Sequence, residues 1–357
     1  MLRVHPSRFG WVLALTLGLW AVLAQGEEFR YRYVSFDQVE LPPGFTRFSP
    51  VGIHDSGRVY GTVCDDLCND PHIAFYKDGA VTVLQSAGFA SVVNAGGTVG
   101  GAVLVDPQNF IVQPALFRGD EVELIPPQPG EVFSQVIALN DPGTALLESD
   151  DASGNRTYVL YEDGQTTVLD FGPTVTNPQF RSFVSVGGFI NNKGIIAGLT
   201  AGLDGNRFDG ARGFRFDPRT GEAELLDPVS PDTLAWGLGI NTHGDVLGYS
   251  FVLGVPYHER IGVWDPNGDF KTYFDETISS NALVFNDNNL IVITLARNNS
   301  YLVPKPGVRL NLADLVENLP SGQNLRYIFD INNHGDMLGL DDQDRPFLLE
   351  RTGVGGP

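Results

Sequence analysis

Basic residues are scarce in this chain: 23 lysines and arginines stand against 43 aspartates and glutamates, for a formal net charge of −20. A surface this acidic repels phosphate backbones, which excludes nucleic acid as a partner. Cysteine is scarcer still, with two residues in 357, too few for a disulfide framework or a four-cysteine zinc centre. Methionine and tryptophan number only two and four, whereas glycine and proline reach 42 and 23. That balance suits many strands joined by turns. No apolar run after residue 24 is long enough to span a bilayer. There is no G-x-S-x-G, H-E-x-x-H, phosphate-binding loop, dinucleotide fingerprint, haem-attachment motif or aspartate box S-x-D-x-G-x-x-W. These absences remove enzymes recognisable from a contiguous motif, and leave those whose groups converge from separate parts of a chain.

What is present begins with a processing signal. Arg3, His5 and Arg8 precede an apolar run from Phe9 to Ala24, with Val22 and Ala24 placed like the small residues before a cleavage site. The run has 16 residues, short of the ~20 that a spanning helix needs. Residues 1–24 are therefore read as a signal peptide, and residues 25–357 as one mature domain, secreted or periplasmic and not membrane-spanning. No cysteine near the cut supports a lipid anchor. Cleavage removes two arginines and no acid, making the mature chain more acidic.

A nine-residue phrase then recurs seven times: an apolar residue, usually Asn, two free positions, Gly, one free, an apolar residue, one free, Gly. The copies are Ile53–Gly61, Val93–Gly101, Leu139–Leu147, Ile190–Gly198, Ile240–Gly248, Phe285–Ile293 and Ile331–Gly339. Each reads as a hairpin, because Asn accepts a local backbone hydrogen bond and Gly takes positive φ. In the sixth copy Asn289 replaces the turn glycine, the next best residue for a left-handed position. A second hairpin follows in most units, for example Ile73–Phe75 leading through Asp78-Gly79 to Val81–Leu84. Four strands per unit of 40 to 51 residues is the arithmetic of a β-propeller blade.

The expected fold is all-β, a seven-bladed propeller of four-stranded blades, with repeats from about residue 47 to 350 and a short C-terminal tail. Unit seven supplies three strands, ending at Pro346–Glu350, before the chain stops. The missing strand is available within residues 25–41, at Phe29–Phe36, and its pairing with the last blade would close the ring.

The triplet-like His72-Ile73-Ala74-Phe75, with the hairpins Ile190–Gly194, Ile240–Gly244 and Ile331–Gly335, resembles the extracellular HAF-repeat proteins. The similarity spans nearly all of the mature chain. It departs at Leu147 and Ile293, which replace the last glycine of the phrase. The resemblance implies an exported repeat fold and no particular chemistry.

The phrase turns share one face with the third-to-fourth turns. The opposite face carries the second-to-third connections, roughly residues 62–72, 102–113, 148–157, 199–211, 249–260, 294–299 and 340–345, and function on a rigid scaffold sits in such loops. Cys64 and Cys68, spaced C-x3-C in the first of them, are expected to form a disulfide. A metal site joining them to Asp65, Asp66, Asp70 and His72 is the weaker reading, since zinc takes four protein ligands at recognised spacings. The acidic groups Asp150-Asp151, Asp204–Asp209 and Asp341–Asp344 could attract calcium, but none fits D-x-[DN]-x-[DN]-G-x5-E, and they read as solvated turn residues. No cofactor is therefore expected. His54, His243 and His334 fall in tight turns and read as structural. His72 and His258 sit at loop ends on the opposite face, without a visible nucleophile partner.

Arg47, Gln135, Arg181, Trp236, Asn281 and Arg326 stand at the entrances to innermost strands. If they ring the channel mouth, they favour an anionic or sugar ligand; the plainer reading pairs the arginines with local acids. The functional expectation is an exported, non-enzymatic propeller that binds a small molecule, glycan or protein on its long-loop face. A polysaccharide hydrolase or lyase with its site at the channel mouth is the alternative.

Overall fold

The structure, a computed structural model, describes residues 29–353 apart from 69, 107–110, 173–180, 205–206, 253–257, 277–279 and 296–298, and the side chains of 181–188, 201–204, 207–209, 276 and 280–282 lie outside it as well. The expected signal peptide, residues 1–24, lies outside the described residues. The chain folds into seven four-stranded antiparallel sheets. Six take their strands in chain order, over residues 47–87, 89–124, 131–168, 181–226, 234–276 and 280–311. They are blades 1 to 6. In blade 7, Leu325–Ile331, Met337–Asp341 and Pro346–Arg351 are joined on the outside by Tyr31–Ser35. Tyr31 stands opposite Arg351 and Ser35 opposite Phe347, so the N-terminal strand closes the ring as expected.

The outer edge of that closing strand is also covered. Tyr31 bridges Val316 in parallel, Glu317 N–H donates to the Tyr31 carbonyl at 3.0 Å, and the Asn318 amide both accepts from Tyr33 N–H at 2.7 Å and donates to its carbonyl at 3.0 Å. The one junction where the ring depends on a distant part of the chain is thus gripped from two sides.

The core lies between blades. Seven apolar clusters occupy the seven junctions, as blades need that cannot bury their own faces. Third-strand aromatics anchor them: Phe117, Trp264 and Phe347 are fully buried. The first strands neighbour one another in cyclic order around the axis, and nearly all carry a bulge, as between Pro50 and Gly52 and between Gly237 and Gly239. The last glycine of the phrase faces that bulge. A Cβ on Gly61 would lie 2.3 Å from the Ser49 carbonyl, and one on Gly248 1.8 Å from that of Trp236. In blade 6 the bulge moves to Ser280/Ala282, and Ile293 takes the glycine's place.

Two connections expected as long loops are shorter. Strands reach Asp151 and Asp341 and resume at Arg156 and Pro346, because each aspartate closes a tight turn with its own side chain. Asp151 Oδ1 accepts from Ser153 and Asn155 N–H at 2.8 and 2.9 Å. Asp341 Oδ1 accepts from Gln343 and Arg345 N–H at 2.8 and 2.9 Å.

Candidate functional site

The two ends of the central channel differ in how their polar groups are used. At the phrase end, the Asn of each copy is buried and works in two directions. In blade 3, Asn140 Oδ1 accepts from Thr144 N–H at 2.8 Å within its own turn. Its Nδ2 donates to the Asn191 carbonyl of blade 4 at 3.1 Å. Equivalent bonds run from Asn94 to the Asn140 carbonyl, from Asn191 to the Asn241 carbonyl, from Asn286 to the Asn332 carbonyl and from Asn332 to the His54 carbonyl. Asn241 reaches Asn289 Oδ1 instead, at 3.2 Å. His54 replaces Asn in blade 1, and its Nε2 meets the Ala95 carbonyl. Every blade junction is therefore stitched at this face. Sequence reasoning found the local half of the asparagine's role and missed the cross-blade donor.

The next residue of the turn builds a second ring around a cavity of about 240 Å³. Asp55 accepts from Asn333 N–H and Nδ2 at 2.7 and 3.0 Å. Asp141 accepts from Ala95 N–H and Asn192 Nδ2, both at 2.6 Å. Asp287 accepts from Thr242 N–H and Asn333 Nδ2 at 2.9 and 3.0 Å. These carboxylates are engaged by the fold itself.

Asp330, deeper along the first strand of blade 7, was also missed. Its side chain is half-buried. Its Oδ2 accepts from Ile53 N–H of blade 1 at 2.7 Å and its Oδ1 from Ile331 N–H at 2.9 Å. Burial pushes its pKa up to about 6, against these two donors and with the Asp55 charge adding to the rise. A signal existed: the position before the apolar residue that opens the phrase holds Gly52, Val92, Ala138, Phe189, Gly239 and Val284 elsewhere, and a carboxylate only here.

At the opposite end, Arg47, Arg181, Trp236, Asn281 and Arg326 lie in the long-loop halves of first strands and Gln135 midway along its own, and each side chain described is engaged within its own blade. Arg47 Nε donates to Ser49 Oγ at 3.3 Å. Gln135 Nε2 donates to Glu148 Oε1 at 3.3 Å. Trp236 packs edge-on against Phe251 at 5.1 Å, and Arg326 forms an ion pair with Asp344. The side chains of Arg181 and Asn281 lie outside the described set. No hydrogen bond or ion pair joins Arg47, Gln135, Trp236 and Arg326 to one another.

Cys64 and Cys68 form a disulfide with their Cα atoms 4.9 Å apart. It clamps a loop whose tip, Leu67, is 77% exposed. Leu67 N–H donates to Asp65 Oδ1 at 3.1 Å, and Asp66 Oδ1 accepts from Thr46 Oγ1 at 2.7 Å, so the tip is held. His72 pairs with Asp70 at 3.2 Å, and His258 with Asp275 at 2.6 Å. Burial alone would raise the Asp341 carboxyl, but backbone N–H groups and Arg345 hold it below the usual range. Among the described residues no three His, Cys, Asp or Glu side chains are grouped to hold a metal ion.

Exposed large apolar side chains concentrate at the long-loop end among the described residues, which leave out most long-loop side chains of blades 4 to 6. Of nine among the described residues, six lie at the long-loop end: Tyr327 in blade 7, Leu67 in blade 1, Val105 and Ile111 in blade 2, Val132 and Phe133 in blade 3. The other three, Val122, Leu124 and Val168, lie on outer edge strands. Val132 is 65% exposed because a bulge between Glu131 and Phe133 leaves it outside the ladder. Carboxylates accompany these residues: Asp65 and Asp66 beside Leu67, Asp106 beside Val105, Glu131 beside Val132.

No protein-family model and no curated protein matches the chain. Among solved structures it is similar to an oligogalacturonate lyase in complex with manganese (TM-score 0.60, 10% identity, covering 91% of this chain and 96% of that one). It is similar also to the β-propeller domain of the Trilobed protease from Pyrococcus furiosus (0.56, 10%, 87% and 99%). The fold is a β-propeller. A third likeness, to the acylaminoacyl peptidase of Pyrococcus horikoshii (0.51, 14%), covers 83% of this chain and 49% of that one. Identities this low establish architecture alone. The Trilobed protease domain is described as having an open velcro topology, whereas the ring here is closed by Tyr31–Ser35.

Proposed function

We propose that this chain is an exported, non-enzymatic propeller that binds a partner polypeptide through its long-loop face. The observation that carries the reading is the run of exposed apolar side chains across four consecutive blades, 7, 1, 2 and 3. Apolar side chains exposed on neighbouring blades offer a surface that a partner could cover. The carboxylates beside them, in a chain of net charge −20, favour a partner that is apolar at its centre and basic around it. Leu67 suits an anchor: its loop is fixed by a disulfide and two hydrogen bonds, so little conformational entropy is lost when it is covered.

The test is a random dodecapeptide display screen against residues 25–357, run in parallel on Leu67→Ser/Phe133→Ser. Enrichment of peptides combining aromatic or aliphatic residues with lysine or arginine, lost on the double variant, is the expected result. Enrichment of the same peptides by both proteins, or of none by either, would overturn the reading.

A further inference from the structure

A second cavity, about 550 Å³, opens at the long-loop end between blades 7 and 1. Its size is that of a small-ligand site. Phe36, Val39, Leu41, Phe48, Pro50 and Pro346 supply the apolar part of its walls, and polar groups take up at least as much of the exposed lining. Phe36 and Phe48 meet edge-on at 5.3 Å and are almost fully buried. They therefore offer little free ring face, and a sugar would find no stacking platform.

The charged groups at the cleft are mostly spent. Arg345 pairs with Asp341 at 2.7 Å and lies 3.7 Å from Asp37, and Asp344 takes Arg326. Arg47 differs. Its Nε reaches Ser49, and its two terminal nitrogens engage no other described residue. A guanidinium left uncommitted over a trough of mixed polar and apolar lining is complementary to one anionic group on a partly apolar body. Its planar fork matches a carboxylate in particular.

We propose that the cleft binds an amphipathic carboxylate, with its charged end on Arg47 and its apolar body in the trough between blades 7 and 1. Two sources carry this chemistry, a free medium-chain carboxylic acid and the terminal carboxylate of a polypeptide ending in an apolar residue. The site stands on Arg47 and the trough walls, and does not depend on the apolar arc binding anything.

Calorimetric titration of residues 25–357 with octanoate and octanol, and with N-acetyl-Leu-Leu as free acid and as amide, tests it. At least one acid should bind, with its uncharged analogue at least tenfold weaker. Saturation by octanoate alone identifies the free acid as the source, and by the peptide acid alone the polypeptide end. Arg47→Gln should weaken the acid at least tenfold and Arg47→Lys less, because lysine keeps the charge without the fork. Arg47 is exposed and its one side-chain hydrogen bond among the described residues is to Ser49, so both variants should melt with the wild type. Binding by neither acid, equal binding by acid and uncharged analogue, or unchanged affinity in Arg47→Gln would each overturn the proposal.

Discussion

Replacing Asn140 by aspartate separates the two jobs of the phrase asparagine. Its Oδ1 accepts from Gly143 and Thr144 N–H at 3.1 and 2.8 Å, and its Nδ2 donates to the Asn191 carbonyl at 3.1 Å. If the residue served only its own turn, aspartate would serve equally, since it makes the same local bonds. The chain demonstrates this at Asp151 and Asp341, which close identical turns without reaching another blade. In Asn140→Asp the new carboxylate would instead turn an ionised oxygen toward a carbonyl at a site only 3% exposed. The lost donor leaves the Asn191 carbonyl with Gly194 N–H alone, at about 1 kcal/mol, and burial of an ionised oxygen facing that carbonyl adds about 1–3 kcal/mol. Asn140→Asp should therefore destabilise by about 3 kcal/mol at pH 7.5 in urea unfolding followed by tryptophan fluorescence. Asn140→Ala, which breaks three bonds at about 1 kcal/mol each, should cost a similar amount. The aspartate variant should recover below about pH 5, where its protonated oxygen can donate, and the alanine variant should not. Asp151→Asn, the exposed control, should stay within about 0.5 kcal/mol of wild type. An Asn140→Asp variant as stable as that control would refute the cross-blade account.

Asp330 carries a pH dependence of opposite sign to that of most paired carboxylates. Its folded pKa of about 6 lies above the unfolded value, so the folded state holds the proton more tightly and this group's contribution to stability falls as pH rises from about 4 to 6. Wild type should lose on the order of 3 kcal/mol more than Asp330→Asn between pH 4 and pH 7; parallel stability profiles for the two proteins would contradict the assignment. For the ring closure, Tyr31→Ala empties a fully buried site at the blade 6–7 junction and should cost about 3–5 kcal/mol. Arg32→Ala on the same strand loses only an exposed ion pair with Glu350, under about 1 kcal/mol. Thermal melts that rank the two equally would argue against closure by Tyr31–Ser35.

Blade number, strand order and ring closure were legible because they rest on local chemistry repeated seven times. Asn and Gly impose a turn wherever they fall, and the unpaired strands at the two ends had one way to meet. The sites were less legible because they rest on pairs far apart in sequence. Gln135 could be placed at a strand entrance, but not its bond to Glu148 on the next strand. Asp330 stood out only by comparison with six apolar or glycine equivalents, and its partner, Ile53, is 277 residues away. The apolar arc was hidden by bulges: strict alternation would send one of Val132 and Phe133 inward, yet the extra residue at Glu131/Phe133 leaves both exposed.

The difference between the two channel ends decides where binding costs least. A ligand entering the 240 Å³ cavity at the phrase end would compete with amides already bonded to Asp55, Asp141 and Asp287, and each bond it displaced would loosen a blade junction. At the long-loop end, neither the terminal nitrogens of Arg47 nor the exposed side chains of Leu67, Val132 and Phe133 hold blades together. Contacts made there add to the native bonds instead of replacing them. The same asymmetry predicts how substitutions act. Changes in the asparagine ring should lower stability and, with it, every activity together, whereas changes at Arg47 or Phe133 should alter binding while the melting temperature stays fixed.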